Sequence, residues 1–593
     1  MSDYNAPVQD MRFILENLCD MEGLRAFPAF AETTEDLVEA ILTESAKFTG
    51  EVVAPLNQPG DLAGSTLKDG EVTTPSGFKE AYRSFVEGGW NGTPFEPEHG
   101  GMGLPWTLTT AIQEMWQSAN LSWSLCPLLT IGAIESLIAH GSDELKEKFL
   151  PNLVSGEWTG TMNLTEPQAG TDLSLLKTRA EREDGHYRIF GTKIFITYGE
   201  QDFTDNIIHL VLARLPDAPP GVKGISLFLV PKYLVNDDGS LGERNDLKAI
   251  GVEHKLGIHA SPTCVMSYGE NGEGAVGYLI GEEHDGLRCM FTMMNNARLN
   301  VGLQGVAVAE RAYQHAVAYA KERVQSAPVD GSSGESATII RHPDVRRMLM
   351  TMRAQTEAMR AIAYYTNSAL DRSRHHDDAD VRGYNARRTD LLTPVVKAWC
   401  TDLGVDIASV GVQVHGGMGF VEETGAAQYL RDARIAPIYE GTNGIQANDL
   451  LGRKLLRDGG AAMEELLEEM DGLPDSADPD ITAILDAQKR ANAALRAATE
   501  WMLDPANNDI NRKFAGAVPF LHLTGTVVGG WLMARAAIAA SNGAAGGASP
   551  EFLETKRITA RFYAEHVLPR AEMHLATIRD GGDSVMALAE DRF

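Results

Sequence analysis

Cysteine and positive charge are both scarce in this chain. Its 593 residues contain five cysteines, Cys19, Cys126, Cys264, Cys289 and Cys400, all far apart. None forms CxxC or a Cys/His cluster, so neither a zinc frame nor a disulfide scaffold is indicated, and no metal is expected. That usage fits a reducing compartment. Lys and Arg number 52 against 82 Asp and Glu, a net charge of −30. A surface of that sign repels phosphate, which argues against nucleic acid as a partner. An anionic ligand then needs local basic residues or helix N-termini. The opening MSDYNAPVQD lacks the basic start and apolar run of a signal peptide, so a cytoplasmic location is expected. The longest uncharged run, residues 514–534, is broken up by a Pro, a His, two Thr and four Gly and is closed by Arg535. It reads as a buried helix, with no stable membrane insertion.

What is present is ordinary soluble composition, 44% apolar and 23% charged. The chain is too long for one core, so several domains are expected. Residues 1–157 read as a helical domain. Met11, Ile14, Leu15 and Leu18 fall on one face of a helix over 7–18, further helices are expected over 33–48 and 77–88, and residues 57–76 read as a loop. From 158 to 283 the segments shorten, alternate with period two and end in Gly/Asp turns. Residues 187–198, 207–213 and 224–230 are the clearest strands of an expected antiparallel β-domain. Helical period returns over 284–457, with long helices over 298–323 and 382–414, a helix start at His342-Pro343-Asp344 and a loop over 325–338; this reads as a bundle. An Asp/Pro/Ser-rich linker at 471–480 belongs to an appended helical domain, 458–593, with a flexible joint at 543–547. The expected fold class is α+β.

Four segments carry groups that suit chemistry. MNLTEPQAGT (162–171) offers hydroxyls and unpaired N–H groups that can form a nest for an anion or the polar edge of a flat heterocycle, and equally a surface β-turn. It is no P-loop. In KIFITY (193–198), alternation puts Phe195 and Thr197 on one strand face, an aromatic beside a hydroxyl; a plain core strand reads the same way. QVHGGMG (413–419) allows close backbone approach to a ligand or simply caps a helix. In DARIAPIYEGTNGIQ (432–446), Glu440 follows a large ring, Tyr439, and precedes Gly441. Burial there raises a carboxylate's pKa and makes it a stronger base. The same residues also describe a helix-start Glu beside a Gly turn.

Taken together with EHGGMGLPW (98–106), HGSDELKEKFLPNLVSGEW (140–158), KLGIHAS (255–261), MNNARLNVGLQGVA (294–307) and YLRDARIAPIYEGTNGIQ (429–446), these segments resemble the acyl-CoA dehydrogenase family. The order and spacing hold from about residue 80 to 457. The opening YNAPVQDMRFIL and the C-terminal extension resemble the family's long bacterial branch and favour a short, sulfur-containing acyl chain.

The resemblance implies FAD as cofactor and oxidation of an acyl-CoA to the trans-2-enoyl-CoA. Glu440 takes the α-proton and the β-hydride goes to flavin N5. Hydrogen bonds to the thioester oxygen from the Glu440 N–H and a ribityl hydroxyl stabilise the developing enolate. Some relatives carry the base just before the Arg of the NNARL segment; here that position is Ala297, so Glu440 stands alone. By the same resemblance Leu164 and Thr165 meet the flavin ring, and Phe195 and Thr197 cover its other side. Thr171 lies near the pyrophosphate or the substrate pantetheine. Arg323 and Gln325 reach the FAD phosphates of a neighbouring subunit. Gln413, Val414, Gly416 and Gly417 hold the adenosine half, and Thr442 closes on the cofactor. Asn295, Arg298, Tyr439 and Gly441 match substrate contacts. The implied acceptor is an electron-transfer flavoprotein and the implied assembly a homodimer or dimer of dimers. Departures from the family pattern are Gln168 for Gly, Phe195 for Trp, Ile258-His259 for Gly or Leu then Arg, and Gly444 for Gln. An acyl-CoA oxidase or nitroalkane-oxidase-like relative, a dehydrogenase of straight short or medium chains, and a catalytically silent acyl-CoA-binding homologue are the alternatives.

Overall fold

The alternation over residues 187–198 does form a strand. In the computed structural model, which describes residues 4–332, 334–544 and 547–593, it is Tyr187–Thr197. Residue 333 of the expected loop and residues 545–546 of the expected joint lie outside the described residues. The chain divides into two units, one of Phe48–Leu104 and Ala119–Ala297, the other of the chain up to Lys47, Pro105–Ser118 and Arg298–Phe593.

The first unit is built on an eight-stranded sheet. Its strands are β1 (Trp158–Asn163), β2 (Arg179–Arg182), β3 (Tyr187–Thr197), β4 (Asn206–Arg214), β5 (Ile225–Pro231), β6 (Leu247–Val252), β7 (Thr263–Tyr268) and β8 (Ala275–Ile280). They run in the order β6-β7-β3-β8-β5-β4-β1, with β2 pairing β3 and β4. Most pairs are antiparallel, as expected, but β1 lies parallel to β4 along six residue pairs, Trp158↔Asn206 to Asn163↔Val211. A core of Ile189, Ile196, Val211, Phe228, Val230, Met266 and Tyr268 fills one face. β1 packs against the helix Leu121–His140, capped at its start by the Asn120 side chain. Gly160 makes this approach possible. Its N–H donates to Thr130 Oγ1 at 3.1 Å, and a Cβ there would lie 2.5 Å from that of Ala133.

The segment read as a loop, 57–76, is instead a helix, Asn57–Ala63, and a hairpin of Thr66–Lys68 with Glu71–Thr73. The tight turn rests on Asp69 and Gly70, both at positive φ, 54° and 86°. An Asp-Gly pair favours this two-residue connection.

The second unit is helical. Long helices α1 (Gly286–Glu322, in this unit from Arg298 onward), α2 (Pro343–His375) and α3 (Ala379–His415) form its centre. The appended region adds α4 (Ala517–Ser541) and α5 (Pro550–His566), among others. α4 contains most of the long uncharged run. Both it and Leu121–His140 are long and apolar enough to cross a membrane, yet their apolar windows are 83% and 94% buried, as core helices are. α4 seats on α3 at Gly525, where a Cβ would lie 2.3 Å from the Trp399 ring.

Charge is buried at the centre of this unit. The Arg360 guanidinium, 1% exposed, binds Asp10 at 2.7 Å, Glu114 at 2.7 Å and Glu310 at 2.7 Å. Tyr364 donates to Glu114 at 2.7 Å. Lys556 of the appended α5 pairs with Asp10 and, at 2.8 Å, with Glu357, which Arg353 also binds. Five chain segments are thereby joined. Removing one partner leaves an uncompensated buried charge, which costs about 3–5 kcal/mol. Arg360→Met should lower unfolding stability by that order in a denaturant titration, whereas Arg347→Ala, which breaks an exposed pair with Asp344, should cost less than about 1 kcal/mol. Equal effects of the two variants would contradict this account.

Candidate active site

In the helical unit the short helix Ala426–Ala433 gives way to a loop that carries Glu440. The loop closes where the Asn443 N–H donates to the Pro437 carbonyl at 3.0 Å. Glu440 has φ 56° and Gly441 φ 83°. A non-glycine residue held there is strained, and such strain persists only where the surroundings enforce it. Thr442 then caps the helix Asn443–Asp449, accepting from the Ile445 N–H. The Gln446 side chain donates to the carbonyls of Glu440 and Gly441 at 3.3 and 3.4 Å. With those carbonyls held, the Glu440 and Gly441 N–H groups donate to no acceptor among the described residues. Two adjacent free donors beside a carboxylate form a site for a developing oxyanion.

Glu440 is half-buried and its carboxylate accepts no hydrogen bond among the described residues. Burial pushes its pKa up to about 7, against the pull of Arg298 and Lys397. Burial also lowers Lys397, to about 7, with Glu440 and Asp402 opposing. Arg298, likewise buried, is lowered in the same direction. The Tyr439 hydroxyl donates to Gln304, and burial keeps it neutral. Lys397, Gln304 and Gln446 were not picked out from the sequence. The available signal was Lys397 itself, the lone cation in the apolar stretch LLTPVVKAWC (391–400) of α3.

In the sheet unit the expected ring contacts come together. The Ile194 N–H donates to the Thr165 carbonyl at 2.9 Å, so Leu164 and Thr165 lie beside the end of β3. The buried Lys193 ammonium donates to the Leu164 carbonyl at 3.0 Å and to Glu166 at 2.8 Å. Burial works to raise the Glu166 carboxyl, but Lys193, Thr178 and the Lys177 N–H outweigh it and hold it at about 2. Gln168, the departure from the family's Gly, laces the same turn by donating to Glu166 and to the Leu175 carbonyl.

Phe195 corrects the expectation of simple alternation. Cys264 faces Ile196 and Met266 faces Lys193, so β3 carries one extra residue against β7. Bulges of this kind re-aim a side chain. Phe195 sits in it at φ 60° and is 58% exposed. Thr197 is half-buried, its carbonyl accepting from Thr161 at 2.7 Å. Thr171 is exposed, away from backbone pairing with these residues. Asn295 is exposed on the Gly286–Glu322 helix, one turn before Arg298.

The remaining expected cofactor residues lie in the helical unit. The Tyr319 ring stacks on His415 with centroids 4.5 Å apart, bringing the end of α1 beside the QVHGG turn. Arg323 and Gln325 are exposed and held by short pairing with 337–339. Gln413 is exposed; the Val414 side chain is buried, leaving only its backbone available. Gly416, at φ 61°, and Gly417 have open space where a Cβ would stand. A turn bare of side chains fits close approach of a cofactor.

The chain matches the N-terminal domain of acyl-CoA dehydrogenases over residues 38–157, the middle domain over 161–269 and the C-terminal domain over 284–455. Residues 461–589 match a domain described as acetyl-CoA dehydrogenase C-terminal like. The chain belongs to the acyl-CoA dehydrogenase family. It is 49% identical over 587 residues to a 3-methylmercaptopropionyl-CoA dehydrogenase of Ruegeria pomeroyi, covering 98% of this chain and 99% of that one. A butyryl-CoA dehydrogenase of Syntrophomonas wolfei is 35% identical over 100% of this chain and 99% of its own. An acyl-CoA dehydrogenase of Bacillus anthracis, solved in complex with FAD, shares the fold with a TM-score of 0.74 at 21% identity, over 93% of this chain and 89% of that one.

The raised Glu440 carboxyl is neutral below about pH 7 and ionised above it. A reaction that uses it as base therefore gains rate as pH rises through that value. Single-turnover reduction of the bound flavin by acyl-CoA should follow a rising curve with its midpoint near 7; a profile flat across the neutral range would mean that the carboxyl is ionised throughout.

Proposed function

We propose that this acyl-CoA dehydrogenase binds FAD and converts a short acyl-CoA to the trans-2-enoyl-CoA, with Glu440 as the base and 3-methylmercaptopropionyl-CoA as the substrate. The observation that carries the mechanism is the pairing at residues 440–441 of a raised carboxyl with two free N–H donors. The substrate choice rests on the 49% identity spanning both whole chains.

A thioester α-proton is too weakly acidic for an ordinary carboxylate. Two features of this chain narrow the gap. Burial strengthens Glu440 as a base. The Glu440 N–H is free to donate to the thioester oxygen, where negative charge develops as the α-proton leaves. Arg298 and Lys397 stabilise the carboxylate form, so the loop stays poised between its two protonation states. FAD, when bound, supplies the acceptor for the hydride that leaves the β-carbon. Leu164, Thr165, Phe195 and Thr197 meet its ring. Gln413, Gly416, Gly417 and the backbone of Val414 hold its adenosine half, and Thr442 closes on it. Thr171, Asn295, Tyr439 and Gly441 contact the acyl-CoA. The exposed Arg323 and Gln325 serve the cofactor of a second copy, so the working form is a homodimer or dimer of dimers. Electrons pass to an electron-transfer flavoprotein. The five cysteines are all free and buried, in keeping with a cytoplasmic enzyme.

A straight short-chain substrate is the second reading, favoured by the 35% identity to a butyryl-CoA dehydrogenase. Anaerobic titration of the yellow protein with 3-methylmercaptopropionyl-, butyryl-, octanoyl- and palmitoyl-CoA separates the two. The fastest bleaching should come with the first, and faster bleaching with butyryl-CoA would transfer the assignment. Glu440→Gln should keep its FAD and lose about 10²–10⁴-fold in bleaching rate; bleaching at the wild-type rate would remove Glu440 as the base.

A further inference from the structure

One link between the appended C-terminal helices and the Glu440 loop is a carboxylate, Asp402. Asp402 lies on α3, one turn beyond Lys397, and both of its oxygens are engaged. Oδ1 accepts from the Asn443 side chain at 2.7 Å. Oδ2 lies 3.1 Å from His522 Nε2, on α4 of the appended region. Asn443 closes the Glu440 loop by its own N–H, as described above. Its side-chain amide is fully used: the two Nδ2 hydrogens are shared among Asp402, the Ala398 carbonyl at 3.1 Å and Thr401 Oγ1 at 2.9 Å, and Oδ1 accepts from Lys397 Nζ at 2.8 Å.

This pattern has a direction. A carboxylate only accepts and an ammonium only donates, while an amide has one end of each kind. Asp402 therefore selects the NH₂ end of Asn443 and turns the carbonyl end toward Lys397. Lys397 and Asp402 hold the amide from opposite ends, the ammonium taking its carbonyl and the carboxylate its NH₂. Lys397 is one of the two cations acting on Glu440. His522 occupies the oxygen that Asp402 would otherwise be free to rotate into solvent. Its own helix is locked to α3 at Gly525 and Trp399, and its ring stacks with His574 of the same appended region, centroids 5.9 Å apart.

We propose that His522 is a positioning residue for the dehydrogenation: acting through Asp402 and Asn443, it lets the appended helices fix the geometry of the loop that carries Glu440. This rests on Glu440 being the base. His522→Leu removes the nitrogen that lies against Asp402, and His522→Gln keeps a polar nitrogen at similar reach. The measurement is flavin bleaching in single turnover over a range of butyryl-CoA concentrations, with FAD content read from the visible spectrum. His522→Leu should keep its FAD and its half-saturating concentration to within about threefold, while its limiting bleaching rate falls about 10- to 100-fold, as misplacement of a reacting group does. His522→Gln should recover the rate to within about threefold of wild type. A wild-type limiting rate in His522→Leu, or equal losses in the Leu and Gln variants, overturns the proposal. If His522→Leu does not fold, Asp402→Asn takes its place: it keeps the shape and loses the charge, and should show the same rate loss with FAD retained, a wild-type rate again being fatal. Glu440→Gln, run alongside, separates the two claims. If it bleaches normally, the base assignment falls and this proposal with it. If it is inert while His522→Leu is normal, only the positioning role falls.

Discussion

The helical unit depends on a cluster of charges buried where charges are expensive. Arg360, Lys556 and Arg353 face Asp10, Glu114, Glu310 and Glu357. Desolvating such groups costs several kcal/mol each, and only near-complete mutual pairing offsets it. The pairing is available only when the first helix, the long bundle helices and the appended helix are all in place. An apolar cluster of the same size would tolerate sliding; fixed hydrogen bonds between forked groups do not. The positions of α1, α2 and α3, and so of everything they carry, follow from that restriction.

The Glu440 loop uses the same physics with the opposite outcome. At Arg360 the charges are matched and held. At Glu440 the carboxyl accepts no hydrogen bond among the described residues and sits on strained backbone, with Arg298 and Lys397 acting on it. Burial without satisfaction raises its pKa, and the cations limit how far. A group so placed changes protonation state readily, which is what a base near neutral pH requires. The sheet unit repeats the device of local strain at Phe195, where a bulge gives an aromatic ring an exposure its strand would otherwise deny it.

Much of this was legible in the sequence, and the exceptions have physical causes. The order of helices, strands and helices followed from the change of period near Gly160 and again near Leu287, because periodicity reports which face is buried. Glu440 stood out through the family resemblance, since its neighbours Tyr439 and Gly441 describe a helix-start Glu beside a Gly turn equally well. The hairpin over 66–73 was missed because its strands are only three residues long and show no alternation, although Asp69-Gly70 marks the turn. The bulge at Phe195 was illegible in principle: an extra residue exists only relative to a partner strand. Arg360 was equally hidden, since its partners lie 50 to 350 residues away in sequence. The roles of Lys397, Asn443 and His522 depend on side chains from three separate segments meeting at Asp402, and spacing within any one of them carries no trace of it.

The helical unit is discontinuous, and Asp10 meets Lys556 across a separation of 546 residues. During synthesis the first helix emerges long before its partner exists. Asp10 and the apolar face of residues 11–15 must wait, solvated or held by another protein, until almost the whole chain has left the ribosome. The eight-stranded sheet, whose strands lie within residues 158–280, is free to fold meanwhile. The last helices made are therefore the ones that complete the first.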